Sequence, residues 1–419
     1  VNVKSFSYFM RQLKEKLGLI QSLKNDHHAR TTLLEEISIH LESKDFDVRK
    51  SHFSRFTDQK CTPDVVSFIA DCVREYIADE KTKEFKVTDI WKSKFAVENT
   101  TRIFNKPSPE DKNAIAEYNK FFGQPIRLFN YAGILESRKE GNTYIYKCVQ
   151  YEILEFIALK SDNALDFLFV YLQKVLGDSG YLSKIIDFQK NQTKSSFQEL
   201  KDAFIKFLQV NTPIEKDFEP KRIFPKIINI FAVKWKMKGS ERGDITEHEF
   251  YHSDLMYNNI NWRDAGTKNK RTTRNEYLLL EEQQPRYAEY EIIKAKNIVE
   301  KIHGKISEIQ DEWSNGDATQ KHHIFPKSEY PEFGAYPENL IILTPTQHYT
   351  KAHPDNKTRQ INKEYQKSML IAKSQSIEQS LGRGESHYSK TKFIEILNDG
   401  LDLGLSENST FDEIRKKLS

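Results

Sequence analysis

Hydrophobic positions recur mostly at helical spacing along this chain. From Thr62 onward Val65, Val66, Ile69, Ala70, Val73 and Ile77 repeat at intervals of three and four, which predicts a helix capped by Thr62 with Pro63 at its first position. A short helix is predicted at 88–91 and another over roughly 109–122. Gly123-Gln124-Pro125 then reads as a break, with one more helix at 126–131. The period changes to alternation in 133–138 and 143–148, around the turn Lys139-Glu140-Gly141-Asn142, which predicts a β-hairpin. Residues 149–210 are apolar and helical again and read as core helices without chemistry. The stretch 211–220 looks like a boundary. Residues 277–313 show Ile292, Ile293, Ala295, Ile298, Val299, Ile302 and Ile306 at helical spacing, ending at Asn315-Gly316. Two short β-like runs follow, 321–325 and 340–343, joined by a loop holding Pro331, Gly334 and Pro337. Residues 1–60 read as two or three helices with charged faces, and 357–419 as mostly charged helix.

The expected class is therefore α+β, mainly helical, with several segments. These are a helical stretch 1–60, helices plus hairpin at 61–150, packing helices at 151–215, a distinct segment 216–290, and a C-terminal domain 291–419 whose chemical core is 315–356. At 419 residues two or three domains are expected. Helices followed by a hairpin at 61–150 resemble a winged helix; a small α+β domain without a ligand has the same pattern.

Charge changes the picture only locally. The chain as a whole carries a formal +3, which argues neither for nor against nucleic acid. Residues 221–275, however, hold 12 Lys or Arg against 6 Asp or Glu, concentrated in Lys268-Asn269-Lys270-Arg271-Thr272-Thr273-Arg274 just after Trp262-Arg263. A basic, Thr- and Asn-rich loop flanked by aromatics suits phosphate contact. The three cysteines are widely spaced and odd in number, which supports neither a zinc ribbon nor a disulfide framework. No run of about 18 apolar residues occurs, and the start Val1-Asn2-Val3-Lys4 is unlike a signal peptide. A soluble, cytoplasmic protein is expected, with no membrane partner. No phosphate-binding or dinucleotide fingerprint is present, so no nucleotide cofactor is expected.

The candidate chemistry lies in Lys321-His322-His323-Ile324-Phe325-Pro326-Lys327-Ser328 and Asn339-Leu340-Ile341-Ile342-Leu343-Thr344-Pro345-Thr346-Gln347-His348. Thr344-x-x-Gln347 is a capping box with Pro345 at the first helical position, so His348 falls in the first turn of a helix. Period two sends His322 and His323 to opposite faces of their strand. One can then share an ion with the helix while its neighbour faces substrate as a general base near neutral pH. The Asn339 amide is placed to bridge the loop backbone and close the hairpin. An earlier pair, His27-His28 after Asp26, has none of these companions and reads as a solvated helix face.

His322-His323-Ile324-x-Pro326-x-Ser328, Asn339-Leu340-Ile341-x-Leu343 and His348 resemble the HNH endonucleases of the ββα-metal superfamily, over roughly residues 315–356. The resemblance implies DNA hydrolysis with one divalent ion per site, Mg²⁺, Mn²⁺ or Ni²⁺. It implies His323 as general base, Asn339 as the residue that orients loop and base, and His322 and His348 as metal ligands. Many members carry Asp where this chain has His322, and a histidine there favours softer ions such as Mn²⁺, Ni²⁺ or Zn²⁺. Many also carry a further histidine four residues along the helix. Here His353 is five residues past His348, about 140° round an ideal helix, and its ligation stays open.

With some 300 residues ahead of such a site, the combination resembles an HNH-type restriction endonuclease that recognises double-stranded DNA. Expected DNA contacts are Lys327 and Lys351 beside the motif, Arg263, Lys268, Lys270, Arg271 and Arg274 of the basic segment, and Arg127 and Arg138 of the winged-helix-like part. Because one site cuts one strand, a homodimer on DNA is expected. The alternatives are a modification-dependent or antiphage nuclease, a DNA-binding regulator with an inactive nuclease fold, and a structural histidine or zinc cluster.

Overall fold

The computed structural model describes residues 28–104, 106, 107, 109, 114–257, 284–353, 362–385 and 387–419. The chain is mainly helical and forms two compact units, Leu34–Tyr287 and one that contains Ala288–Ser419. Its described strands make three separate two-stranded antiparallel sheets. No described helix is long and apolar enough to cross a membrane.

In the first unit the described helices are α1 (His28–Glu42, within it from Leu34), α2 (Val48–Ser51), α3 (Pro63–Tyr76), α4 (Val87–Trp91), α5 (Lys94–Phe104) and α6 (Ile115–Tyr131). After the hairpin β1 (Leu135–Glu140) and β2 (Thr143–Cys148) come α7 (Tyr151–Leu159), α8 (Ser161–Asp178), α9 (Leu182–Lys190), α10 (Lys194–Asn211) and α11 (Phe218–Trp235). Helix α3 begins where the capped pattern places it, and Val65, Val66, Ile69, Ala70, Val73 and Ile77 are all fully buried. Apolar side chains on nearly every side make α3 a central helix; it packs on α6, α7 and α8.

Two expectations need correction here. The break at 123–125 does not occur, because α6 runs on through Gly123 and Pro125. Its buried face, Phe121, Phe122, Ile126 and Phe129, continues across the proline, and this packing outweighs the local helix penalty. Helix α5 has no counterpart among the expected helices, and the helix expected over 109–122 is the first half of α6, which begins at Ile115. The β1–β2 hairpin forms with the register Leu135↔Cys148 to Glu140↔Thr143. Phe85, between α3 and α4, adds an isolated bridge to Tyr146 of β2 through bonds of 2.9 and 2.8 Å. A second hairpin, β3 (Lys238–Glu241) with β4 (Asp244–Glu249), turns at Arg242 and Gly243, both at positive φ. It occupies part of the segment read only as basic.

The second unit contains α12 (Gln284–His303, within it from Ala288), β5 (Gln320–His323), β6 (Leu340–Leu343), a π-helical turn Gln347–Ala352, α13 (Lys363–Gly382), α14 (Lys390–Leu401) and α15 (Phe411–Leu418). Strands β5 and β6 pair antiparallel, His322 opposite Ile341 and His323 opposite Leu340. All four β6 side chains are buried. On one side Leu340 and Ile342 meet Ala295, Val299 and Ala318. On the other, Ile341 and Leu343 join a core built from Ile324, Phe325, Phe333 and the apolar faces of α13, α14 and α15. Glu308 and Lys373, both fully buried, form a 2.7 Å ion pair inside this unit, and Glu308 also accepts from the Ile342 N–H at 3.0 Å.

Candidate metal centre

Strand β5 puts its two histidines in different environments, as alternation requires. His322 is buried and faces the π-helical turn, where His348 and His353 complete a cluster. The three ring centroids lie 5.1, 4.9 and 4.9 Å apart, and one nitrogen of each falls within 4.8 Å of the others.

The turn explains why His353 belongs to this set. Thr344 and Gln347 form the reciprocal cap, with the Thr344 N–H donating to Gln347 Oε1 at 3.0 Å and the Gln347 N–H to Thr344 Oγ1 at 3.2 Å. Each such cap is worth roughly 1 kcal/mol. From that start the chain winds wider than an α-helix, and the His353 N–H donates to His348 O, five residues back, at 3.3 Å. With a five-residue closure, roughly one turn separates the two histidines, and they share a face. The α-helical phase that left the ligation of His353 open therefore does not apply.

Burial and mutual repulsion act on these rings. Burial, reinforced by His348, His353 and His323, lowers the His322 pKa to about 3; burial and His353 lower that of His348 to about 4. His322 is 4% exposed, and its Nε2, like Nδ1 of His348, is buried without a hydrogen-bond partner. Unsatisfied buried nitrogens are costly. Two buried, unpartnered imidazole nitrogens, in a group of three histidines with ligand atoms within 4.8 Å of one another, fit a divalent transition ion, whose bonds to histidine are about 2.0–2.1 Å.

His323 stands outside the cluster, half-buried. Its Nε2 lies 3.0 Å from Gly334 O. A carbonyl only accepts, so Nε2 carries the proton and Nδ1 holds the free lone pair. Burial is the main cause lowering its pKa; Lys296 and Lys327 add to it and the Gly334 bond opposes it. The ring is thus held neutral near pH 7.

Asn339, fully buried, closes the hairpin. Its Oδ1 accepts from Phe325 N at 2.8 Å, and Nδ2 donates to Phe325 O at 3.0 Å and Phe333 O at 3.3 Å. The Ile324 N–H donates to Asn339 O at 2.8 Å, and Ile324 O accepts from Gln366 of α13 at 2.8 Å. The chain leaving His323 is thereby fixed from three sides.

The expected DNA contacts fare unevenly. Lys327 is exposed next to His323, while Lys351 lies over the Trp313 ring, 4.7 Å from its centroid. Arg127 is exposed on α6. Arg138 is paired with Glu84 at 2.8 Å and Glu140 at 3.0 Å, so a phosphate has to compete with two carboxylates for it. Arg263, Lys268, Lys270, Arg271 and Arg274 lie outside the described residues. Lys296, beside His323, was missed; nothing in its sequence context separates it from the other charges of a surface helix. Comparisons of the chain with family models, curated proteins and solved structures found no match.

Proposed function

We propose that this chain is a metal-dependent DNA endonuclease of the HNH type, in which Ala288–Ser419 carries the catalytic site. The observation that supports it most is the division of labour on β5. His322 turns toward two further histidines, while the adjacent His323 has Nε2 committed to a carbonyl and Nδ1 available. In this reading His323 Nδ1 takes a proton from the attacking water, and Asn339 holds the strand end that aims the ring. His322, His348 and His353 hold the ion, which when bound stabilises negative charge on the scissile phosphate and leaving oxygen. Three nitrogen donors favour Mn²⁺, Ni²⁺ or Zn²⁺ over Mg²⁺.

Leu34–Tyr287 is the proposed DNA reader. The bridge from Phe85 to Tyr146 gives its helices and hairpin a third extended segment, which is in keeping with a winged helix, and Arg127 presents an exposed cation on α6. Sequence-specific restriction is the biological role proposed, with two sites acting together for a double-strand break.

The test is incubation of chelator-stripped protein with supercoiled plasmid and Mg²⁺, Mn²⁺ or Ni²⁺, wild type beside His323→Ala and His353→Ala. Wild type should cut. His323→Ala should lose about 10²–10⁴-fold in rate while still binding Ni²⁺, and His353→Ala should lose affinity for Ni²⁺. Absence of nicking by wild type with every ion overturns the proposal. Discrete fragments support restriction, a smear an unspecific nuclease, and cutting of methylated plasmid alone a modification-dependent enzyme.

A further inference from the structure

Helix α12 lies against the β5–β6 sheet through Ala295 and Val299, and the stripe Ile292, Lys296, Glu300, at i, i+4 and i+8, follows the line of the site. At one end Ile292 meets Gly334, its Cδ1 3.4 Å from where a Cβ on that glycine would stand; Gly334 is the residue whose carbonyl holds His323. At the other end Glu300 is paired with Lys321 of β5. Lys296 lies between these two anchors along the helix, close enough to His323 for its charge to act on that ring. Lys327 reaches the same place from the loop, its Cγ 3.3 Å from the same point on Gly334.

Lys296 and Lys327 thus both act on the neutral His323 ring, and Lys321 adds a third ammonium group near Lys296. Glu300, the carboxylate on this stripe of α12, is taken by Lys321. Among the described residues Lys296 has no carboxylate partner, and it is half-buried rather than extended into solvent. Burial, Lys321 and Lys327 all disfavour its charge. A half-buried cation set against like charges beside a base is an arrangement that an anion would relieve.

We propose that Lys296 is a phosphate-contacting residue, which receives the phosphodiester to be cut beside His323. This rests on the nuclease reading for its catalytic part, but the anion site itself does not. Lys296 holds the phosphate facing the water on His323 Nδ1 and offsets charge that grows on its oxygens, whereas the exposed Lys327 contributes mainly to attraction.

The test uses the full-length protein with Lys296→Met, which keeps the half-buried stem, and Lys296→Arg. With Mn²⁺ and a short duplex, Lys296→Met should lose about 10²–10³-fold in kcat with Ni²⁺ affinity and melting temperature unchanged. Lys296→Arg should recover to within about tenfold of wild type. In parallel, metal-free protein is titrated with a duplex over a range of salt, where Lys296→Met should lower the slope of log Kd against log salt by about one. If wild type does not cut but this slope still falls, the phosphate site stands and the nuclease reading fails. An unchanged slope overturns the proposal, as does a Lys296→Met enzyme that cuts at the wild-type rate, or one that loses Ni²⁺ affinity along with activity.

Discussion

Replacing Asn339 removes more than its small volume suggests. In Asn339→Ala the Phe325 N–H and C=O, bonded at 2.8 and 3.0 Å, are both left buried without a partner. Phe333 O keeps its bond from the Tyr336 N–H at 3.1 Å and adds little. An orphaned buried backbone group costs roughly 1–3 kcal/mol, so the two together come to about 3–5 kcal/mol with a small cavity included. Against a typical total of about 5–15 kcal/mol, the unit should still fold, but with little reserve. Asn339→Asp separates hydrogen bonding from shape. It is nearly isosteric and keeps the acceptor for Phe325 N, but its second oxygen meets Phe325 O and Phe333 O, both acceptors. Aspartate should therefore destabilise at least as much as alanine. Urea unfolding of the metal-free protein at pH 7 gives the free energies, and hydrogen exchange of the Phe325 amide reports the bond directly. An Asn339→Asp protein as stable as wild type, with that amide still protected, would refute the reasoning.

Two further outcomes are expected. For metal-free protein, stability should fall as pH drops below about 6.5. The unfolded chain then gains protons on His322 and His348, whereas the folded groups resist until about 3 and about 4; the loss is complete only below those values. His322 alone contributes a slope of up to about 1.4 kcal/mol per pH unit across that window. Urea midpoints at pH 7, 6 and 5 should therefore be flatter in His322→Gln, and an equal slope would count against the buried neutral ring. Gly400→Ala, within α14, would on an exposed helix gain about 1 kcal/mol. Here the added Cβ overlaps the Phe325 ring, whose backbone Asn339 holds in place, so a loss of about 1–3 kcal/mol is expected; a higher melting temperature would contradict it.

Much of the hairpin was readable because its determinants are local. The Thr344–Gln347 box, the alternation at His322-His323 and the position of Asn339 each act within a few residues or across one turn. His353 was harder, since its phase depends on a helix winding wider than the α-form, and nothing in Tyr349-Thr350-Lys351 announces that. Lys296 was out of reach for another reason. It comes 26 residues before His322 and reaches the site only through the packing of α12 on β6. Arg138 shows the same limit from the other side, because its partner Glu84 lies 54 residues away. The continuity of α6 through Pro125 is likewise a tertiary effect, decided by the phenylalanines it buries.

The side chain that caps the π-helical turn has a second set of partners. Gln347 Oε1 also accepts from Ser307 Oγ at 2.6 Å, and Nε2 donates to Ile309 O at 2.9 Å and Asp311 Oδ1 at 2.8 Å. Tyr365 of α13 donates to the other Asp311 oxygen at 2.9 Å. The start of the histidine-bearing turn is therefore fixed by residues on both sides of the 315–356 stretch. A peptide cut to that stretch would contain His322, His323, Asn339, His348 and His353 yet lack what sets their phase. The cores around the arrangement draw side chains from α12 through α15. In this chain the histidine motif is not a portable cassette; it is the inner face of a domain about three times its length.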